Sequence, residues 1–176
     1  SIAEDARRRD FTVNGLYYDI KDFAIYDYVG GMADIESRTL RLMGDPDTRY
    51  REDPVRMLRA MRFAAKLGFE LAPTTAKPIR QLGSLLSSVS PARLFDEAAK
   101  LFLTGHGKAT FNQLREFELL KPLLGRAAHP LLDPQSALSK LVTAVLENTD
   151  LRIANEQSVT PSFLFASFLW QRYQDL

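Results

Sequence analysis

The pattern of apolar and polar positions changes near Asp53. Before it, short runs of β-branched and aromatic residues alternate imperfectly with polar ones, as is typical of strands, at residues 11–20, 23–29 and 39–43. After it, apolar residues recur at helical spacing, and only residues 69–71 indicate a further strand. The pattern predicts an α+β chain that is mostly α-helical, with a small sheet fragment followed by a helical array.

Several helix starts are marked by a polar residue followed by proline. Proline at the first helical position has no N–H to lose, and the residue before it can accept one as a cap. Ser90-Pro91 fits this pattern, and Asp53 is a predicted N-cap for the helix that starts at Pro54. The polar residues 44–51 are predicted to form a loop. Helices are predicted at residues 54–67, 73–82, 91–104, 107–118, 134–148 and 161–173.

The helix predicted at residues 54–67 combines apolar burial with charge. Its apolar residues spread over roughly two-thirds of the circumference, which is more than the single stripe of a surface helix. Arg56, Arg59 and Arg62 nevertheless recur at three-residue intervals. A guanidinium is costly to bury without an anionic partner. We therefore expect acidic groups to meet these arginines.

The start of this helix also carries candidate chemistry. Asp53, with Arg56 one turn later and Arg59 and Arg62 beyond it, can hydrogen-bond a planar polar group and hold phosphates. This set predicts a nucleotide site. The alternative is structural: Asp53 only caps the helix, and the arginines pair with carboxylates on neighbouring elements.

A second polar cluster precedes the first predicted strand. Arg8, Arg9 and Asp10 lie at a helix-to-strand junction, where they can converge on a phosphate, a sugar or a metal. Asn14 both donates and accepts hydrogen bonds, as ribose hydroxyls require. The alternative is a solvated basic turn followed by an edge strand.

Composition narrows the possible chemistry. The chain has no cysteine, which excludes disulfides and thiolate ligands, and His106 and His129 are too few for a histidine metal site, so any metal must be held by carboxylates. The charged N-terminus is unlike a secretory signal and no apolar run is long enough to span a membrane, so cytoplasmic residence is the default expectation. A net charge of +1 means that a nucleic-acid partner would have to be met by a local basic patch.

Four motifs in order resemble the bacterial poly(A) polymerase and tRNA nucleotidyltransferase family, class II. The resemblance covers essentially the whole chain, and the motifs look more like the poly(A) polymerase branch than the CCA-adding branch. The motifs are RRDFTVNGLYYD at 8–19, DYVGGMADIESRTLR at 27–41, EDPVRMLRAMRF at 52–63 and PARLFDEAAKLF at 91–102.

The resemblance implies a division and a function. Residues 1–51 would be the end of a nucleotidyltransferase head, 52–125 a helical neck, and 126–176 the start of a helical body that engages RNA. The parent enzyme would add AMP from ATP to an RNA 3′ end with the help of Mg²⁺. By this resemblance, Asp53 and Arg56 would read the nucleotide base. The sugar and phosphates would be contacted by Arg8, Arg9, Asp10 and Asn14. Arg59 and Arg62 would steady phosphates or the motif itself.

Other functions remain open at this stage. One is a CCA-adding enzyme, and one from another class is a non-catalytic helical RNA-binding or interaction module. The family's metal-binding aspartates lie N-terminal to the arginine-rich motif, so we expect them upstream of Ser1 and expect no catalytic or metal-binding residue in this segment. The segment alone is predicted to be inactive.

Overall fold

The computed structural model describes residues 1–174, apart from the side chain of Arg172. The chain divides into two compact units, Ser1–Leu82 and Gly83–Leu176. Helices dominate in both units, and the few strands are short, which confirms the prediction of a mostly helical α+β chain. The division into head, neck and body segments stays a prediction.

The first unit contains five α-helices and four short strands among its described residues. They occur in the order α1 Ile2–Arg8, β1 Leu16–Asp19, β2 Ala24–Asp27, α2 Gly31–Glu36, β3 Thr39–Leu40, α3 Pro46–Glu52, α4 Val55–Leu67, β4 Glu70–Leu71 and α5 Pro73–Leu82.

The strands form two separate pairs. β1 and β2 are an antiparallel hairpin in which Tyr17 lies opposite Tyr26. β3 and β4 are parallel, and Leu40 lies opposite Leu71. Because a parallel pair needs a crossover connection, α3 and α4 lie between these two strands in the sequence.

The prediction of a strand at residues 11–20 is wrong for the first half of this segment. Thr12–Asn14 form a turn of 3₁₀-helix, and only a single antiparallel bridge, Phe11 to Leu42, precedes it. The polar residue before this segment explains the difference, because the Asp10 carboxylate accepts a hydrogen bond from the Phe11 N–H at 2.9 Å. The side chain thus competes with strand pairing for a backbone donor.

The two adjacent glycines after β2, Gly30 and Gly31, form a strand-to-helix turn. Gly30 has φ of +80°, which a residue with a side chain adopts only with strain. The Asp27 carboxylate accepts hydrogen bonds from four successive backbone N–H groups, Val29 to Met32, at 2.8–3.0 Å. Burial alone would raise the pKa of Asp27, but these donors hold it below its usual value.

The prediction of a loop at residues 44–51 is wrong, because most of this segment forms helix α3. Asp45 is the N-cap and accepts from the Thr48 N–H at 3.0 Å, and Pro46 occupies the first turn. This is the same polar-residue-then-proline start that marks other helices of the chain. The segment is polar because it forms an exposed surface helix, not because it lacks helical structure.

Helix α4 is the centre of the first unit, as its apolar pattern predicts. Met57, Leu58, Ala60 and Met61 are fully buried. Tyr50 of α3 is also fully buried, and its hydroxyl donates to the Thr75 carbonyl of α5 at 3.0 Å.

The second unit is helical throughout its described residues. Its α-helices are α6 Pro91–Phe102, α7 Gly107–Glu116, α8 Leu120–Leu124, α9 Ala137–Ala154 and α10 Pro161–Gln174, and two 3₁₀-helices occur at Gly83–Ser88 and Gly125–Leu131. The predicted start of α9 at Pro134 is wrong, because Ser136 is its N-cap and accepts from the Ser139 N–H at 3.1 Å.

An aromatic cluster holds α10 to this unit. The Phe168 ring lies 5.0 Å from that of Phe102 and 5.9 Å from that of Phe111, measured between centroids. All three side chains are buried. Other apolar residues of α10, among them Phe163 and Trp170, stay exposed, as expected for a helix that is apolar nearly all round. Among the described residues, no helix has the length and apolar character that a membrane crossing requires.

Candidate nucleotide-binding site

Three of the predicted nucleotide residues, Asp10, Asn14 and Arg59, meet around one partly buried ion pair. Asp10 follows α1, and Arg59 lies in the middle of α4, 49 residues later. The Asp10 Oδ2 accepts from Arg59 Nε at 2.8 Å and also from Arg59 Nη2. The Asp10 side chain is only 11% exposed and that of Arg59 33%. The acidic partner expected for this arginine is therefore Asp10.

The second oxygen of Asp10 is also fully engaged. Its Oδ1 accepts from the Phe11 N–H at 2.9 Å and from Asn14 Nδ2 at 3.0 Å. Burial alone would raise the pKa of Asp10, but the hydrogen bonds from Asn14 and Arg59, together with the charge of Arg59, hold it below the usual range. Asp10, Asn14 and Arg59 thus form one rigid cluster in which the carboxylate is ionised.

A second arginine network links α3 to the end of α1. Arg49 Nη2 donates to the carbonyl of Arg9 at 3.0 Å, and Arg49 Nη1 donates to Glu52 at 3.3 Å. Arg56 Nη1 donates to the Arg49 carbonyl at 2.8 Å and to Glu52 at 3.2 Å. Glu52 is therefore the acidic partner of Arg56, and Arg49 joins the two predicted motifs.

Two residues of this network, Arg49 and Glu52, are not among the predicted site residues. Arg49 lies in the segment predicted to be a loop, so its position one helical turn before Glu52 was not predicted. The available signal was the spacing of residues 49 and 52, which places both side chains on one face of α3 once this segment is helical.

The predicted capping role of Asp53 is wrong in its details. Pro54 is the N-cap of α4, and Asp53 is the C-cap of α3. Its side chain still contacts the start of α4, because Asp53 Oδ1 accepts a hydrogen bond from the Val55 N–H at 3.3 Å. Asp53 is half-buried between two consecutive helices, one turn from Arg56.

Arg8 and Arg9, which are also predicted to contact the nucleotide, lie at the edge of the network around Arg49. Arg8 is exposed, and its carbonyl accepts from Arg49 Nη2 at 3.4 Å. Arg9 pairs with Asp5 at 3.3 Å and lies 5.8 Å from the Tyr17 ring centroid.

Two arginines of α4 flank one aromatic ring. The guanidinium of Arg62 lies 4.6 Å from the Phe63 ring centroid, and that of Arg59 lies 5.6 Å from it. A cation against a ring face is held there by the negative quadrupole of the ring. Phe63 thus gives both arginines an apolar support.

The acidic groups of the described residues do not by themselves form a centre for two metal ions. No group of three or more His, Asp or Glu side chains among them is placed to hold a metal. The Asp10 carboxylate, the most buried acid of the cluster, has all its hydrogen bonds directed to protein donors. The arrangement instead offers cationic donors and one half-buried carboxylate, Asp53, which is chemistry for recognising a base and binding phosphates.

Solved structures define the class of protein. The Bacillus stearothermophilus CCA-adding enzyme in complex with CTP is 34% identical and has a TM-score of 0.65, covering 84% of this chain and 34% of that chain. A tRNA nucleotidyltransferase complexed with a primer tRNA and an incoming ATP analog is 27% identical with a TM-score of 0.70, covering 97% of this chain and 48% of that chain. The fold is that of a nucleotidyltransferase.

Sequence comparison identifies the family. The profile described as "Poly A polymerase head domain" matches residues 1–41, and that described as "Probable RNA and SrmB- binding site of polymerase A" matches residues 68–134. The Poly(A) polymerase I of Salmonella typhimurium is 53% identical over 171 residues, which are 97% of this chain and 37% of that relative. The chain belongs to the bacterial poly(A) polymerase and tRNA nucleotidyltransferase family. It spans little more than a third of the length of the curated relatives that it matches.

Proposed function

We propose that the chain is the nucleotide-recognising part of a template-independent RNA 3′-end adenylyltransferase. The reaction is attack of an RNA 3′-hydroxyl on the α-phosphate of ATP, with release of pyrophosphate. The observation that carries the proposal is the convergence of two family motifs on one cluster, in which Asp10 binds Arg59 and Arg49 joins Arg9 to Arg56. The higher identity to a poly(A) polymerase than to a CCA-adding enzyme supports adenylyl transfer.

Each predicted residue has a role in this proposal. Asp53 accepts from the adenine amino group, and Arg56 donates to a ring nitrogen. Arg8, Arg9 and Asn14 face the sugar and phosphates. Arg59 acts as a positioning residue, because it holds the Asp10 carboxylate and so fixes the segment that carries Asn14. Arg62, whose guanidinium lies 4.6 Å from the Phe63 ring centroid, steadies phosphates or the motif.

The segments are proposed to divide this work. Residues 1–51 belong to the head, 52–125 form the neck that reads the nucleotide, and 126–176 begin the body that engages RNA. The family resemblance implies Mg²⁺ for the chemistry, and no group of three or more His, Asp or Glu side chains among the described residues is placed to hold a metal. CCA addition is the second candidate, because a CCA-adding enzyme with CTP shares the fold at 34% identity.

The purified chain is expected to incorporate no AMP into RNA. Two-ion catalysis needs clustered carboxylates, and none are placed suitably among the described residues. Incorporation of labelled ATP into an oligoribonucleotide is the measurement, with a full-length poly(A) polymerase as the positive control. Label transfer above a no-protein background would contradict the prediction.

Replacing Arg56 by alanine in the full-length polypeptide is expected to alter nucleotide choice more than overall binding. Arg56 Nη1 donates to the Arg49 carbonyl and to Glu52, and the proposal assigns the other guanidinium nitrogens of Arg56 to the base edge. Loss of one charged hydrogen bond costs about 1–3 kcal/mol, or roughly ten- to a hundredfold in the ratio of kcat/KM for ATP to that for CTP.

Arg51→Ala is the matched control for this experiment. Arg51 lies on the neighbouring helix and makes an exposed pair with Asp47 at 2.7 Å, so its loss is expected to leave the ratio unchanged. The proposal requires a changed ratio in Arg56→Ala. An unchanged ratio with a lowered melting temperature would show that Arg56 only bridges to Arg49 and Glu52, and would defeat base reading.

A further inference from the structure

A buried polar contact of the first unit has no role in the proposed nucleotide chemistry. Asp34 of α2 is 6% exposed, and Thr12 is 3% exposed. Thr12 Oγ1 donates to Asp34 Oδ2 at 2.7 Å, across 22 residues of sequence. Burial of a carboxylate is costly unless its oxygens are hydrogen-bonded, so the Thr12 hydroxyl is one of the groups that allow Asp34 to lie in the core.

Arg41 supplies the positive charge beside Asp34. Its Nε lies 3.2 Å from Asp34 Oδ1 and 3.1 Å from Oδ2, and its Nη2 donates to Oδ1 at 3.1 Å. A guanidinium that engages a carboxylate through two nitrogens holds the plane of that carboxylate in one orientation. Arg41 therefore keeps Asp34 Oδ2 directed at the Thr12 hydroxyl.

The backbone of Thr12 is fixed as well as its side chain. Its N–H donates to the Arg41 carbonyl at 3.0 Å, and its carbonyl accepts from the Gly15 N–H at 2.9 Å. Thr12 is the first residue of the 3₁₀ turn Thr12–Asn14. The orientation of this turn is thus set by two backbone hydrogen bonds and by the hydroxyl that reaches Asp34.

Helix α2 packs against this turn with no side chain between them. A Cβ on Gly31 would collide with the Thr12 carbonyl, so glycine is required at this position by the close approach. Asp34 follows Gly31 by three positions on the same helix and lies on the same face. The close approach therefore brings the Asp34 carboxylate within hydrogen-bonding distance of Thr12.

The segment that carries Arg41 is anchored at its other positions. The Leu42 N–H donates to Thr75 Oγ1 of α5 at 2.9 Å, and the Met43 N–H donates to the Asp10 carbonyl at 2.8 Å. Residues 41–43 are therefore tied both to α5 and to the start of the nucleotide cluster. Through Asp34 and Arg41, the Thr12 hydroxyl attaches the turn to this frame.

Thr12 lies between two residues of the nucleotide cluster. Asp10 precedes it by two positions and accepts from Asn14 Nδ2 at 3.0 Å, and Asn14 ends the turn. In the proposed function, Asn14 faces the nucleotide sugar and phosphates. A displacement of about 1 Å in a group that orients a substrate can cost a hundredfold in rate, so the orientation of the turn matters for nucleotide use.

We infer that Thr12 and Asp34 are positioning residues for the nucleotide sugar. The Thr12 hydroxyl, held by Asp34, fixes the turn that presents Asn14 to the ribose hydroxyls. Both residues act through Asn14, and neither is a catalytic residue. The inference rests on the proposed function, in which Asn14 contacts the sugar.

The test is the choice between ATP and 2′-deoxy-ATP by the full-length polypeptide. Thr12→Val removes the hydroxyl at nearly constant volume. It is expected to lower the ratio of kcat/KM for ATP to that for 2′-deoxy-ATP roughly tenfold, because Asn14 is no longer held against the ribose. Thr12→Ser keeps the hydroxyl and should stay within about twofold of the wild-type ratio.

Combining substitutions distinguishes positioning of Asn14 from another route. Asn14→Ala is expected to lower the same ratio as Thr12→Val does. Adding Thr12→Val to Asn14→Ala should then lower the ratio by less than about twofold more, since two residues that act on one contact are not additive. Full additivity would show that Thr12 does not act through Asn14 and would overturn the inference.

The matched control is a buried threonine in the second unit. Thr149 of α9 is 6% exposed, and its Oγ1 donates to the Val145 carbonyl at 2.8 Å. Thr149→Val removes a comparable buried hydroxyl and should leave the ATP to 2′-deoxy-ATP ratio unchanged. Melting curves give a temperature at which every variant is folded. Thr12→Ala, which adds no atom that could clash, takes the place of Thr12→Val if that variant does not fold.

The inference and the proposed function fail in different ways. If Asn14→Ala lowers the ratio but Thr12→Val only lowers the melting temperature, the Thr12 hydroxyl is purely structural and the inference alone is overturned. If Asn14→Ala leaves the ratio unchanged, the sugar contact that the proposed function gives to Asn14 is wrong, and the inference is overturned with it.

Discussion

Arg59→Ala is expected to lower the free energy of unfolding of the first unit by about 3 kcal/mol. The substitution leaves the Asp10 carboxylate, which is only 11% exposed, without its cation. Breaking a buried pair by removing one partner costs about 3–5 kcal/mol, and the partial exposure of Arg59 places this pair at the lower end. For a unit of this size, Ser1–Leu82, the melting temperature is expected to fall by roughly 12–24 °C.

The pH dependence identifies the ion pair as the cause. The pKa of Asp10 is lowered in the folded state, so its contribution is fully present above the unfolded pKa of about 3.9 and is lost as the pH falls through the folded value. The difference in melting temperature between the wild type and Asp10→Asn should therefore shrink in acid. Arg51→Ala, which removes an exposed pair on α3, should change stability by less than about 1 kcal/mol. Equal losses in Arg51→Ala and Arg59→Ala would contradict the role given to burial.

Phe168→Ala is expected to lower the free energy of unfolding of the second unit by about 3–5 kcal/mol. Phe168 is 2% exposed and its ring contacts those of Phe102 and Phe111, so truncation leaves a cavity and removes two aromatic contacts. Amide hydrogen exchange of α10 should accelerate, because this ring joins α10 to α6 and α7.

A residue on the same helix provides the comparison for Phe168. Phe163 is 65% exposed, and Phe163→Ala should change the free energy of unfolding by less than about 0.5 kcal/mol. Chemical denaturation of the two variants, with hydrogen exchange of the α10 amides, tests the pair. If both variants behaved alike, α10 would not be docked through Phe168.

Helix positions were predictable where burial and local start signals agree. α4 and α10 begin within a residue of their predicted starts, because proline and an apolar run coincide there. α3 was missed although Asp45-Pro46 carries the same start signal, because an exposed helix has few apolar residues to reveal its period. The 3₁₀-helices were not predicted for a related reason. Their period of three residues matches neither the 3.6-residue period of an α-helix nor the two-residue period of a strand.

Partners distant in sequence could not be predicted from spacing. The apolar surroundings of Arg59 predict an acidic group beside it, but the spacing along the chain does not single out Asp10, which lies 49 residues away. The family motifs indicated that Asp10 and Arg59 both serve one site, and the fold explains this by direct contact between them. Arg49 belongs to the same cluster and could be found only once α3 was known to be a helix.

The position of Trp170 on α10 gives the second unit its own optical signal. It is the only tryptophan of the chain, it is half exposed, and its ring lies 6.1 Å from that of Tyr173 on the same helix. Emission excited selectively from the indole therefore reports on the surroundings of α10, whereas far-ultraviolet circular dichroism sums over both units. A tryptophan melt and a dichroism melt of the same sample thus resolve which unit unfolds first, without any label.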